Sequence, residues 1–81
     1  MTASQLRAAR ALLRMPADKL ADAAKVSLVT IRRAEALEGP VRMMPANLEA
    51  ISRALEAAGV EFIPENGGGA GVRLRKPADA E

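Results

Sequence analysis

The sequence predicts a mainly α fold: a head of four short helices followed by a short C-terminal β-hairpin. Three observations carry that expectation. Apolar residues recur at helical spacing in four segments ahead of Gly59. Residues that favour helix starts stand before or at the head of these segments, at Thr2, Pro16, Ser27 and Pro45. Beyond Gly59 the period drops to two, in "VEFI" (60–63) and "VRLR" (72–75).

Taken in order, Thr2 with Gln5 three residues later is a capping-box signature and opens a helix of about residues 3–14. Leu6, Ala9 and Leu13 form its inward stripe, and Arg10 falls on the same stripe. Pro16 interrupts and leads into a helix of about 17–24, with Leu20, Ala21 and Ala24 inward. Lys25-Val26-Ser27 separates it from a third helix of about 28–38, for which Ser27 is a suitable N-cap. Gly39-Pro40 ends that helix, and a loop runs through Met44. Pro45 starts the fourth helix, with Leu48, Ile51, Leu55 and Ala58 on one face. Gly59 stands where a left-handed cap belongs, and Val60 can close over Leu55 as in a Schellman ending.

The expected organisation is thus a head at 1–58, a hairpin segment at 59–76 and a polar tail at 77–81 that frays. "PENGGGAG" joins the two strands as a turn. Its glycine run is not a phosphate cradle, because no Gly-Lys-Ser/Thr and no helix follow. In the hairpin, Val60, Phe62, Val72 and Leu74 alternate onto one face, to be buried against the helices or a second chain. Glu61, Arg73 and Arg75 fall on the other face, where they can pair across the strands. Removing everything after Gly59 is expected to leave the helices largely intact but to give a monomer.

At 81 residues, with many alanines and a single phenylalanine, the chain has little bulk with which to build a core. A second copy is the simplest source of further burial, so a homodimer is expected. Neither cysteine nor histidine is present, which removes disulfides, thiolate metal sites, the usual proton shuttle and the commonest zinc ligand. With three serines and two threonines besides, no triad or metal site can be assembled, so neither an enzyme nor a cofactor is expected. No segment has the length of a membrane span or the pattern of a signal peptide, and a reducing cytoplasm is the expected location. The net charge of +2 is unevenly spread: residues 1–33 carry +5, residues 34–70 carry −4, and the remainder +1. A basic front and an acidic back suit a polyanion on one side.

Two helices joined by three residues, the second capped by serine, suggest a helix-turn-helix. Leu20, Ala24, Val26, Ile31 and Ala34 supply its shared core, and Ala21 sits where close helix approach demands a small side chain. On these residues "LRAARALLRMPADKLADAAKVSLVTIRRAE" resembles the Cro/cI-type (XRE-family) helix-turn-helix domain of transcriptional regulators. The match runs over roughly residues 6–55 and is densest at Leu20-Ala21, Val26-Ser27, Ile31 and Glu35. The resemblance implies a four-helix, lambda-repressor-like head that binds double-stranded DNA. Two positions depart from the family pattern: Pro16 replaces a side-chain cap, and Lys25 stands where the turn commonly has glycine. A left-handed non-glycine residue costs on the order of 1–2 kcal/mol.

By helical geometry Leu28, Val29, Arg32, Arg33 and Ala36 occupy one arc of about 140°, opposite Ile31 and Ala34. The resemblance makes 28–38 the recognition helix, so Leu28, Val29, Arg32 and Arg33 become the candidate base contacts. Arginine bonds guanine with both arms, and apolar side chains touch thymine methyls. Candidate backbone contacts are Ser27, Lys25 beside the duplex, and Asn47 in the first turn of the fourth helix. Thr30 either meets a phosphate or packs. The resemblance adds Arg42 in the loop after the recognition helix. It also implies an ion pair between Arg10 and Glu35, tying the first helix to the third; an arginine on a buried stripe has to be paired. Arg7 and Arg14 are expected to be solvated charges. The competing reading is a protein-binding module, an antitoxin or anti-activator that keeps the fold and uses Leu28, Val29 and the hairpin edge to hold a protein partner.

Overall fold

A computed structural model describes residues 1–75; Lys76 and the tail expected at 77–81 lie outside the described residues. Four helices precede one antiparallel pair of strands: α1 (Ala3–Leu13), α2 (Ala17–Ala24), α3 (Leu28–Ala36), α4 (Pro45–Ala57), β1 (Val60–Ile63) and β2 (Gly71–Leu74). The mainly α fold with a C-terminal hairpin is therefore the one its periodicity predicts.

Each helix begins for a local reason. Thr2 and Gln5 form the full capping box, the Thr2 side chain accepting from Gln5 N–H while the Gln5 side chain accepts from Thr2 N–H. Ser27 Oγ accepts from Thr30 N–H at 3.1 Å to start α3. Pro16 and Met44 open α2 and α4 without a side-chain cap, and Pro45 takes the first position of α4, where its missing N–H costs nothing.

The left-handed end at Lys25 is the one its turn position predicts, while the left-handed end at Arg14 has no sequence signal. Glycine marks neither of these two ends. Arg14 (φ 54°) and Lys25 (φ 57°) are the two non-glycine residues at positive φ among those described. Each closes a Schellman ending. Met15 N–H reaches Arg10 O at 2.9 Å, and Val26 N–H reaches Ala21 O at 3.1 Å. At Gly59 (φ 114°), where glycine predicts such an ending, the N–H donates to Glu56 O at 3.0 Å, one of the two bonds of that motif, and Val60 is buried in one cluster with Leu55. Ala58, expected on the inward face of α4, is the exposed cap residue.

The third helix stops at Ala36, two residues short of expectation. Leu37 is already extended because the chain must pair with the amino-terminal segment. Ala3 N–H donates to Gly39 O at 2.9 Å and Val41 N–H to Met1 O at 3.0 Å, flanking a bridge between Thr2 and Pro40.

The core lies where α1, α2, α3 and α4 converge under β1. Leu6, Leu20, Ile31, Ile51, Leu55 and Val60 are its fully buried bulky members. Ala9, Ala21, Ala24 and Ala34 fill the close crossings. α3 packs on α1 and α2, while α2 packs on α4. Val60 belongs to this core rather than to a separate hairpin unit, so the helices do not complete their own packing. Truncation after Gly59 would remove a fully buried valine.

The hairpin register pairs Val60 with Leu74, Glu61 with Arg73, Phe62 with Val72 and Ile63 with Gly71. The second strand starts at Gly71, one residue before the expected "VRLR". Of the four residues expected on one face, Val60 is buried and Phe62 and Val72 are half-buried against the head. Leu74 is left 51% exposed. The inner face of the hairpin is thus occupied by its own head. On the outer face Arg73 Nε pairs with Glu61 Oε1 at 2.5 Å, as alternation predicts. Arg75 instead donates to Glu56 O at 3.0 Å. No helix of the described residues is long and apolar enough to cross a membrane.

Candidate nucleic-acid interface

The turn between α2 and α3 is fixed from both sides. Left-handed Lys25 ends α2, buried Val26 plugs the corner, and Ser27 caps α3, so the exposed start of α3 is held by backbone geometry. Ser27 Oγ and Thr30 Oγ1 also lie 2.8 Å apart. The Thr30 hydroxyl is therefore engaged with the cap, and it is half-buried at the edge of the arc.

Ile31 and Ala34 hold one side of α3 in the core, which turns Val29, Arg32 and Arg33 outward. Val29 is 56% exposed and both arginines are exposed. Leu28 differs from the expectation of an open apolar contact: it is half-buried and packs against the core, leaving part of its surface at the rim.

Arg33 is brought together with residues beyond α3. Thr30, Arg33, Arg42, Met43, Met44 and Asn47 line one shallow depression between α3, the following loop and the start of α4. Met44 is 70% exposed there, and sequence reasoning missed both methionines. The amino-terminal turn of α4 opens onto this surface with Asn47 in it. Among the described residues none of Lys25, Arg32, Arg33 and Arg42 takes part in an ion pair. Arg7, Arg10, Arg53 and Arg73, by contrast, each face a glutamate. Lys25, Arg32, Arg33 and Arg42, which like Arg14, Lys19 and Arg75 form no ion pair among the described residues, offer donors to an anionic ligand together with the cap hydroxyls and a helix start.

Behind α3 the Arg10–Glu35 pair is bidentate, with Nε to Oε2 at 2.6 Å and Nη2 to Oε1 at 2.7 Å. The side chains are 22% and 12% exposed. Arg10 Nη1 also donates to Met15 O at 3.0 Å, so the arginine spans the end of α1 and the middle of α3. The hydrogen bond to Glu35 raises the guanidinium above its ordinary pKa, against the opposing effect of burial. Arg7 is not the free charge expected of it. It donates to the Glu35 carbonyl oxygen and to Ser4 Oγ, and lies 4.0 Å from Glu38. No sequence signal marks this contact, since it depends on how α1 crosses α3.

No protein-family model matches the sequence, and no curated protein matches it. The functional reading rests on the chain's own residues and on the resemblance of its helix-turn-helix segment.

Proposed function

We propose that this chain is a sequence-specific double-stranded DNA-binding transcriptional regulator of the Cro/cI type, acting as a homodimeric repressor or autoregulator in the cytoplasm. One observation carries the reading. The exposed face of the serine-capped α3 presents Val29, Arg32 and Arg33, and Arg33 shares a depression with Arg42 and Asn47, with none of these arginines committed to an acid among the described residues.

In this reading Arg32 and Arg33 contact guanines with paired hydrogen bonds, and Val29 and the rim of Leu28 meet thymine methyls. Lys25, Arg42, Asn47 and the Ser27–Thr30 hydroxyl pair contact phosphates and fix register. Arg10 and Glu35 hold the reading helix and do not touch DNA. The dimer forms along the hairpin, with Leu74 as its exposed apolar contribution.

The test is a selection of bound sequences from random duplexes, followed by affinity measured over a range of salt. Lys25 and Arg42 on each of two heads give a slope of log affinity on log salt of roughly −3 to −4. A flat salt response and no enriched sequence would refute the proposal. They would favour the competing protein-binding module, for which exposed Val29, Met44 and Leu74 supply apolar contact.

A further inference from the structure

The buried side chain of Gln5, 7% exposed, has two ends with two different partners. Its Oε1 accepts from Thr2 N–H at 2.9 Å, completing the cap of α1. Its Nε2 donates to Gly71 O at 2.9 Å and to Ile63 O at 3.4 Å. Those two carbonyls belong to the pair that closes the hairpin at its loop end.

A capping box accepts glutamate or glutamine at this position. The helix dipole favours an acid there, and α1 has none in its first turn. A carboxylate would serve Thr2 equally well but would turn an oxygen without a proton toward two carbonyl oxygens. The amide is the group that satisfies both ends. One residue before Thr2, Met1 O accepts from Val41 N–H beside Arg42. The first five residues therefore hold the hairpin on one side and the loop carrying Arg42 on the other.

We propose that Gln5 is a positioning residue whose amide latches the hairpin to the head and so sets how two reading heads are spaced. The second half of this inference rests on the dimeric DNA-binding reading above. The test uses the full chain with Gln5→Glu, which keeps the capping acceptor and removes the latch donor, alongside Gln5→Ala, which removes both. Amide hydrogen exchange without DNA should show residues 60–63 and 71–74 exchanging about tenfold faster in Gln5→Glu, as a lost buried hydrogen bond implies. The amides of α1 should exchange as in the wild type in that variant and faster in Gln5→Ala. On DNA, Gln5→Glu should lose about tenfold on a duplex with two half-sites and hold its affinity for a single half-site, since only the former needs the heads set correctly.

Unchanged hairpin exchange in Gln5→Glu would overturn the latch. A loosened hairpin with undiminished two-site affinity would overturn the positioning role. A wild-type chain that binds one and two half-sites alike would overturn the dimer reading and with it the spacing role, while the exchange data still decide the latch.

Discussion

Arg14 and Lys25 hold backbone angles that L residues adopt at a cost of about 1–2 kcal/mol. Both are exposed, and the structure shows no side-chain hydrogen bond or ion pair for either among the described residues. Arg14→Gly and Lys25→Gly should therefore each stabilise the protein, by about 0.5–1 kcal/mol after the larger chain entropy of glycine is deducted. Thermal denaturation would show this as a rise of a few degrees in Tm, and a fall would mean that the side chain stabilises its turn. Lys25→Gly should also weaken DNA binding slightly through the lost charge, whereas Arg14→Gly should not. On α3, Arg33→Ala and Arg32→Ala should leave stability unchanged and, under the proposed function, cost about 1–3 kcal/mol of specific DNA binding. Arg33 should be the larger effect, because it shares a depression with Arg42 and Asn47. Equal operator affinity in both variants and the wild type would remove these residues from the reading set. The Arg10–Glu35 pair adds no alkaline transition in the working range. A raised arginine pKa gives stability that is complete below the unfolded value and lost only as pH rises through the folded one.

At the scale of elements, the hairpin behaves as part of the core. Val60 is fully buried among Leu6, Ile51 and Leu55, so Val60→Ala should cost about 2 kcal/mol in urea denaturation. Phe62→Asp places a charge against the half-buried inner face and should lower stability by at least as much. A charge at Phe62 would therefore damage the core as well as any association between two chains. Circular dichroism on the variant distinguishes the two: lost helix signal at lower temperature indicates core damage, and unchanged melting would show that the inner face is not packed. α3 has the converse construction, with one side in the core and paired to α1 through Glu35 and the other side free of structural duties.

For the whole molecule, the hairpin has used its inner face at home, which leaves its edges and Leu74 for a second chain. In the proposed dimer, Leu74→Asp should therefore separate the two chains with little change in the thermal stability of the head. Analytical ultracentrifugation reads the outcome, and a monomeric wild-type chain at operator-binding concentrations would exclude hairpin dimerisation. Two heads related by a two-fold axis would then read half-sites about 34 Å apart, one turn of duplex. Leu74 is the discriminating position, since Val60 and Phe62 affect folding and association together.

What the sequence determined by itself was local. Starts such as Thr2–Gln5 and Ser27 are legible because cap and helix lie within a few residues of each other, and the inward stripes follow from a 3.6-residue period. The outward direction of Arg32 and Arg33 follows from the same period once Ile31 and Ala34 are assigned to the core. The Arg10–Glu35 pair came from family resemblance, and its bidentate geometry is a tertiary fact. The left-handed ending at Arg14 was illegible because no glycine marks it; the bonds that close it, from Arg14 N–H to Ala11 O and from Met15 N–H to Arg10 O, are made by backbone groups that every residue carries. Only the tertiary structure decided that Leu28 is half-buried, that α3 stops at Ala36 to let Gly39–Val41 pair with Met1–Ala3, and that Val60 joins the helical core. It also decided that the amide of Gln5 faces the hairpin, 58 and 66 residues away in the chain. Caps and periods depend on bonds between near neighbours, which short stretches of sequence specify. Contacts between segments far apart depend on how whole elements cross, and no short stretch encodes that.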